Sequence, residues 1–209
     1  MWVNQDRDTN QADFVILHPG SRTLFRYWER VRGERAAPRR SEIDLKQLRP
    51  YVGNLFVLER RRDIYRWRVA GTRVCELYRR DLTGGDSLAD LDTFERATIG
   101  SFLAAVVETL QPCVLRFRLN TSERQTIGVE MLGVPVQSGP GDSIHVFGSL
   151  FPFRDASTMS YERITGVELS GARSIHTEHL PGDELVARLR AGPAGPRRPF
   201  QVVNGGRDE

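Results

Sequence analysis

The residues able to do chemistry are few and scattered. Four histidines occur, His18, His145, His176 and His179, and no two have a serine, cysteine or carboxylate at a spacing that assembles a nucleophile with its base. His176 and His179 flank Glu178 at a spacing that sets two imidazoles on one helical face, as a metal would need. The surrounding stretch is polar, weakly patterned and without further ligands, which favours solvated loop histidines. Cys75 and Cys113 lie far apart and lack the partner spacing of a zinc site or disulfide framework, so both read as small core residues. Gly84 and Gly85 are followed by no Lys-Ser or Lys-Thr and read as a turn rather than a phosphate cradle. Arg35 and Arg39, four apart, supply half of a cyclic dinucleotide-binding pattern, and no Asp/Asn-x-Ser-x-x-Gly strand supplies the other half. The expectation is a protein with no catalytic set, no metal, no cofactor and no enzymatic activity.

The elements that must position these residues centre on Asn54 to Asp86. Leu55 to Leu58 is an apolar run, Glu59 to Asp63 a charged connection, and Tyr65, Trp67 and Val69 then alternate with Arg66 and Arg68. Period two marks a half-buried strand, so a hairpin is predicted. Thr72 opens a short helix carrying Val74, Leu77 and Tyr78, with Thr83, Gly84 and Gly85 as breakers beyond. Upstream, Pro19 to Ser21 introduce a helix whose Leu24, Tyr27, Trp28 and Val31 share a face, ended by Gly33. Ser41 or Asp44 caps a second, short helix stopped by Pro50. Downstream, Asp92 and Glu95 have capping-box spacing ahead of the longest helix, with Phe94, Ile99, Phe102, Leu103, Val106 and Leu110 at helical intervals. Three strands follow: Cys113 to Asn120, one beginning at Ile127 whose Pro135 marks an edge or a bulge, and Ser143 to Phe151 after a turn at Pro140, Gly141 and Asp142. A further extended segment over Glu168 to His176, a short helix over Asp183 to Arg190 and a Gly/Pro-rich charged tail complete the chain.

Composition narrows the function classes. The chain has 209 residues, 39% of them hydrophobic, which suits one core with extensions. No run approaches the roughly 18 apolar residues of a membrane span, and MWVNQDRDTNQ lacks the layout of a signal peptide, so a cytoplasmic protein with no membrane span is expected. The formal charge is +3, and every basic residue except Lys46 is an arginine. These arginines are interleaved with Glu and Asp instead of forming a basic stripe, which argues against nucleic acid.

The order helices, two strands, short helices, a longer helix and three antiparallel strands resembles the PAS domain. More narrowly, LFRYWERVRGERAAPRRSEIDLKQLRPYVGNLFVLE followed by YRWRVAGTRVCELYRRDLTGGD is similar to a family of PAS-like proteins of alphaproteobacteria. The resemblance covers about residues 20 to 155. It implies an α+β fold, a five-stranded antiparallel sheet with helices packed on one face and an N-terminal helical extension. It also implies a signalling or regulatory module without enzymatic output, with some relatives tied to cell-cycle and polarity control. On this reading residues 1–19 are an extended lead-in, 20–155 the PAS-like domain and 156–209 a C-terminal extension whose last 18 or so residues are disordered. A flavin photosensor of this fold would need a reactive cysteine in an Asn-Cys-Arg-Phe-Leu type run, which neither Cys75 nor Cys113 offers.

Two function classes remain. An interaction module would work through a homodimer or a signalling partner, with Leu24, Trp28 and Val31 of the N-terminal helix as the candidate interface. A sensor would instead bind a small apolar or aromatic ligand between sheet and helices, lined by Trp67, Val69, Phe117 and Met131 from the sheet and Tyr78 and Phe102 opposite. Arg73 and His145 are its candidate polar groups.

Overall fold

The computed structural model describes residues 15–62, 64–138, 143–154 and 163–177. Most of the expected lead-in, the Pro140 turn, the Asp183 to Arg190 helix and the tail lie outside them. Helix α1 (Pro19–Arg32) starts two residues before Ser21 because His18 is a serviceable N-cap: its Nδ1 accepts from the Gly20 amide at 3.1 Å. Gly33, at φ 57°, ends it. Two 3-10 segments, Arg40–Glu42 and Leu45–Asn54, replace the expected short α-helix, the second capped by Asp44 and carrying Pro50. Pro50 cannot donate an intrahelical bond, which keeps the segment from settling into an α-helix.

The hairpin is β1 (Leu55–Arg61) and β2 (Ile64–Ala70), followed by α2 (Thr72–Tyr78) and α3 (Thr93–Glu108). Strands β3 (Cys113–Thr121), β4 (Thr126–Gln137), β5 (Ile144–Pro152) and β6 (Ile164–Ser174) complete one antiparallel sheet in the order β2-β1-β5-β4-β3-β6. The first five strands in that order are the sheet expected from the sequence. The sixth pairs with β3 along its whole length and lies beyond residue 155, so part of the expected C-terminal extension belongs to this sheet.

Pro135 stands inside β4, between two neighbouring strands, yet costs no ladder bond. Pairing with β3 stops at Cys113↔Gly133, so the side of β4 toward which Pro135 turns its backbone is a local edge. There the Trp28 Nε1–H donates to the Pro135 carbonyl at 2.8 Å, and the Gln137 amide donates to Pro38.

Apolar residues cover both faces of the sheet. On the inner face, α2 and α3 pack Val74, Leu77, Ile99, Leu103 and Val106 against Phe56, Leu58, Trp67, Leu115, Phe117 and Met131. The capping box at α3 is only half made. Asp92 accepts from the Glu95 amide at 2.8 Å, but Glu95 reaches across to the Leu169 amide at 2.7 Å, beside the bulge that breaks β6 register between Gly171 and Leu169. Phe94, in the first turn of α3, stays exposed instead of joining the buried stripe.

On the outer face, α1 lays Leu24, Phe25 and Trp28 over Val114, Leu132, Val134 and Phe147. Helices therefore cover both faces of the sheet. Leu24 and Trp28 are each 0% exposed within their own chain, which corrects the expectation that they form a dimer interface; Val31 is half-buried against the same cluster. The stripe of α1 is spent on its own sheet because the Trp28 indole N–H finds an acceptor there.

Candidate functional site

The sensor pocket expected from the sequence is only partly assembled. Trp67, Phe117 and Met131 meet in the inner-face cluster, with Tyr78 and Phe102 packed beside them. Trp67 stands edge-on to Phe56, ring centroids 5.4 Å apart. Val69, Arg73 and His145 do not join them. The cause is a bulge in β2: Leu58 pairs with Trp67 but Val57 pairs with Val69, leaving Arg68 as an extra residue. A bulge inverts the facing of the strand residues beyond it, so Val69 comes out on the outer face. His145, in register with Val136 and two residues before Phe147, faces outward as well. Arg73 is exposed on α2, its stem against Gly53.

Burial shifts the titratable groups inside toward their neutral forms. Burial pushes the Tyr78 phenol up to about 12, with Asp90 adding to the rise and Arg80 opposing it. Burial likewise pushes the Cys113 thiol up to about 12, which keeps it protonated and unreactive. Cys75 is half-buried, its thiol directed at the Ala70 carbonyl. His176 is exposed just past β6, and His179 lies outside the described residues. Among the described residues, no group of three His, Cys, Asp or Glu could hold a metal ion.

Two arrangements on the outer face could not be read from the sequence. The first is an anchor for α1 built on Glu130, a carboxylate 0% exposed on β4. Its Oε2 accepts from the Leu17 amide and its Oε1 from the His18 amide, each at 2.8 Å, and Arg116 Nε lies 3.3 Å from Oε2. Arg116 also donates to the Val15 carbonyl. His18 stacks on Phe151 at 4.3 Å. Burial lowers the His18 pKa, with Glu130 working against the shift and Arg22 with it. This anchor fixes where α1 begins and hence how much of the outer face it covers.

The second is the part α1 leaves open, a groove of about 130 Å³ over β1, β2 and β5. Leu55, Val57, Val69, Val136 and Phe147 form its floor. Ile43, Leu45 and Val52 of the 3-10 segments and their approach wall it, and Arg40 stands at one end. Gly71 makes the wall possible, since a Cβ there would lie 2.3 Å from the Gly53 carbonyl oxygen. Leu45, Val52 and Val69 remain 46%, 40% and 44% exposed. His145 sits toward Arg40 with Glu59 and Arg68: burial lowers its pKa, Glu59 opposes, and Arg68 and Arg40 contribute. Glu59 is shared by Arg61 at 3.0 Å and Arg68 at 3.3 Å.

Residues 16–151 match the PAS domain family, a family of signalling modules, and the chain belongs to it. No curated protein matches the chain significantly. Among solved structures it is similar to a Rhodobacter sphaeroides LOV protein, at 12% identity and a TM-score of 0.40 over 56% of this chain and 72% of that one. It is also similar to an RsLOV variant, at 15% identity and a TM-score of 0.39 over 56% and 73%. Among the described residues, no helix is long and apolar enough to cross a membrane.

Proposed function

We propose that this PAS domain is a non-enzymatic regulatory module whose output is the binding of a partner protein. The observation that supports this reading is the open apolar groove over β1, β2 and β5, beside an inner face whose large side chains pack on one another. A small-molecule sensor needs a few polar groups converging on its pocket, and the two candidates, Arg73 and His145, lie away from the inner cluster. Membership of the PAS family supports a regulatory setting, and a tie to cell-cycle and polarity control of the kind found in some alphaproteobacterial PAS-like proteins is the finer reading that the sequence resemblance suggests. With α1 committed to its own sheet, a homodimer would have to use another surface.

Native mass spectrometry of the purified protein, paired with affinity capture from its host, tests the reading. The expected result is a bare chain mass and a reproducibly captured protein that Val69→Asp, an exposed substitution, no longer retains. A stoichiometric small-molecule mass surviving purification, with no capture difference between the two proteins, would overturn it in favour of the sensor.

A further inference from the structure

Resting on that reading, we infer that the groove takes an acidic amphipathic segment of the partner protein, whose large apolar side chains enter between Val52 and Val69 and whose carboxylates meet Arg40. Size is the first argument. At about 130 Å³ the groove falls well short of the roughly 300–1,000 Å³ of small-molecule pockets, and has room for one or two side chains. Anchoring side chains in small desolvated pockets, ringed by polar contacts, is how partner segments bind.

Charge is the second argument. Arg40 lines the groove, and beside it the carboxylate of Glu59 is already shared by Arg61 and Arg68 near His145, so cations outnumber carboxylates there. The two carboxylates next to the wall are also taken up: Glu42 by Arg35 at 2.9 Å, and Asp44 by the Lys46 amide at 3.0 Å and the Gln47 side chain. Arg40 has no ion pair among the described residues. Complementary carboxylates would steer and register a partner here. A second copy docked through this face by a two-fold axis would set the same positively charged patch against itself. A single-stranded nucleic acid would want exposed rings on which to stack, whereas the two rings that line the groove, Phe56 and Phe147, are both buried.

The experiment titrates the full chain into fluorescein-labelled synthetic helices and reads anisotropy. One helix carries leucines on one face and glutamates on the other, a second has lysine for every glutamate, and a third has alanine for every leucine; labelled oligothymidylate is the fourth probe. The acidic leucine helix should bind at least about tenfold tighter than each of the others. Arg40→Glu and Val69→Asp should each weaken it about tenfold or more, with the melting temperature unchanged because both side chains are exposed. Added salt should weaken binding of the acidic helix to the wild-type protein.

Equal binding of the lysine helix, or no binding of the acidic helix at any concentration, overturns the acidic-segment assignment. It leaves the partner-binding reading intact if Val69→Asp still abolishes capture. Tighter binding of oligothymidylate overturns it in favour of nucleic acid. A dimer by light scattering that Val69→Asp dissolves overturns it in favour of a second copy.

Discussion

Replacing Glu130 by Gln is the sharpest test of how α1 is held. The substitution keeps shape and volume, so packing is nearly unchanged and the loss is electrostatic. The native carboxylate, itself 0% exposed, accepts two backbone N–H bonds at 2.8 Å and faces, at 3.3 Å, the Nε of Arg116, whose side chain is 27% exposed. A glutamine can accept one of those amides through its oxygen but turns an NH₂ toward the other, leaving a buried N–H without an acceptor. Hydrogen bonds to a charged group contribute about 1.5–3 kcal/mol each. Breaking a buried ion pair from one side costs about 3–5 kcal/mol. The two figures describe overlapping contacts, so the expected loss is about 3–5 kcal/mol, a large share of a typical domain's stability of about 5–15 kcal/mol. Urea unfolding followed by tryptophan fluorescence measures the loss. Hydrogen exchange at the Leu17 and His18 amides reads the anchor itself, and both should lose protection before the β4 amides do. A destabilisation under about 1 kcal/mol, or unaltered protection at those two amides, would refute the assignment of Glu130 as the anchor.

Three further outcomes are expected from the packing and the titratable groups. Trp67→Ala should cost about 3–5 kcal/mol in chemical denaturation, since it empties a buried site against Phe56, and a cost under about 1 kcal/mol would mean that Trp67 is not in the core. Gly148→Ala should cost about 3 kcal/mol by thermal unfolding, because the new Cβ would lie 2.2 Å from the Leu132 carbonyl oxygen and 2.4 Å from the Phe56 ring, and backbone on one side cannot yield. His18 and His145 both have pKa values lowered from 6.5, chiefly by burial, so the unfolded chain takes up protons first; stability should be level above about pH 6.5 and fall as the pH drops below it. His18→Asn, which keeps a capping acceptor without the imidazole, should flatten part of that fall, and an unchanged pH profile would show that His18 carries none of it.

Much of the fold is legible in the sequence because most elements obey their own period. Trp67 between two arginines, and Ile99, Leu103 and Val106 at helical spacing, declare which way they face, and the structure buries all four. The hidden places are those where the chain gains a residue. Tyr65, Trp67 and Val69 alternate without a break, yet the ladder slips at Arg68 and sends Val69 to the other face. Nothing in an arginine marks it as the extra residue of a bulge. In β6 a similar slip separates Leu169 from Gly171, breaking the alternation that would have announced a full-length strand from Ile164. Glu130 is hidden differently. A lone carboxylate on an alternating strand reads as a wet face, and the backbone amides that bury it belong to residues more than a hundred positions earlier.

The N-terminal helix brings these threads together. Its stripe of Leu24, Trp28 and Val31 could cover its own sheet or a partner's equally well, and periodicity cannot choose between them. Two polar contacts choose. The Trp28 indole needs an acceptor once buried and finds the carbonyl of Pro135, which is available because β3 has already ended there. The chain ahead of the helix needs acceptors for its amides and finds them on Glu130. Apolar area therefore supplies the drive for α1 to dock, and satisfied donors fix the place where it docks. That place also sets the limits of the open surface. Because α1 is held over β3, β4 and β5, the outer faces of β1 and β2 are left to the two short 3-10 segments, which are too narrow to cover Val69. The uncovered strip is thus a consequence of where the helix is pinned, and a variant that frees α1 should change the groove's neighbourhood as well as the protein's stability.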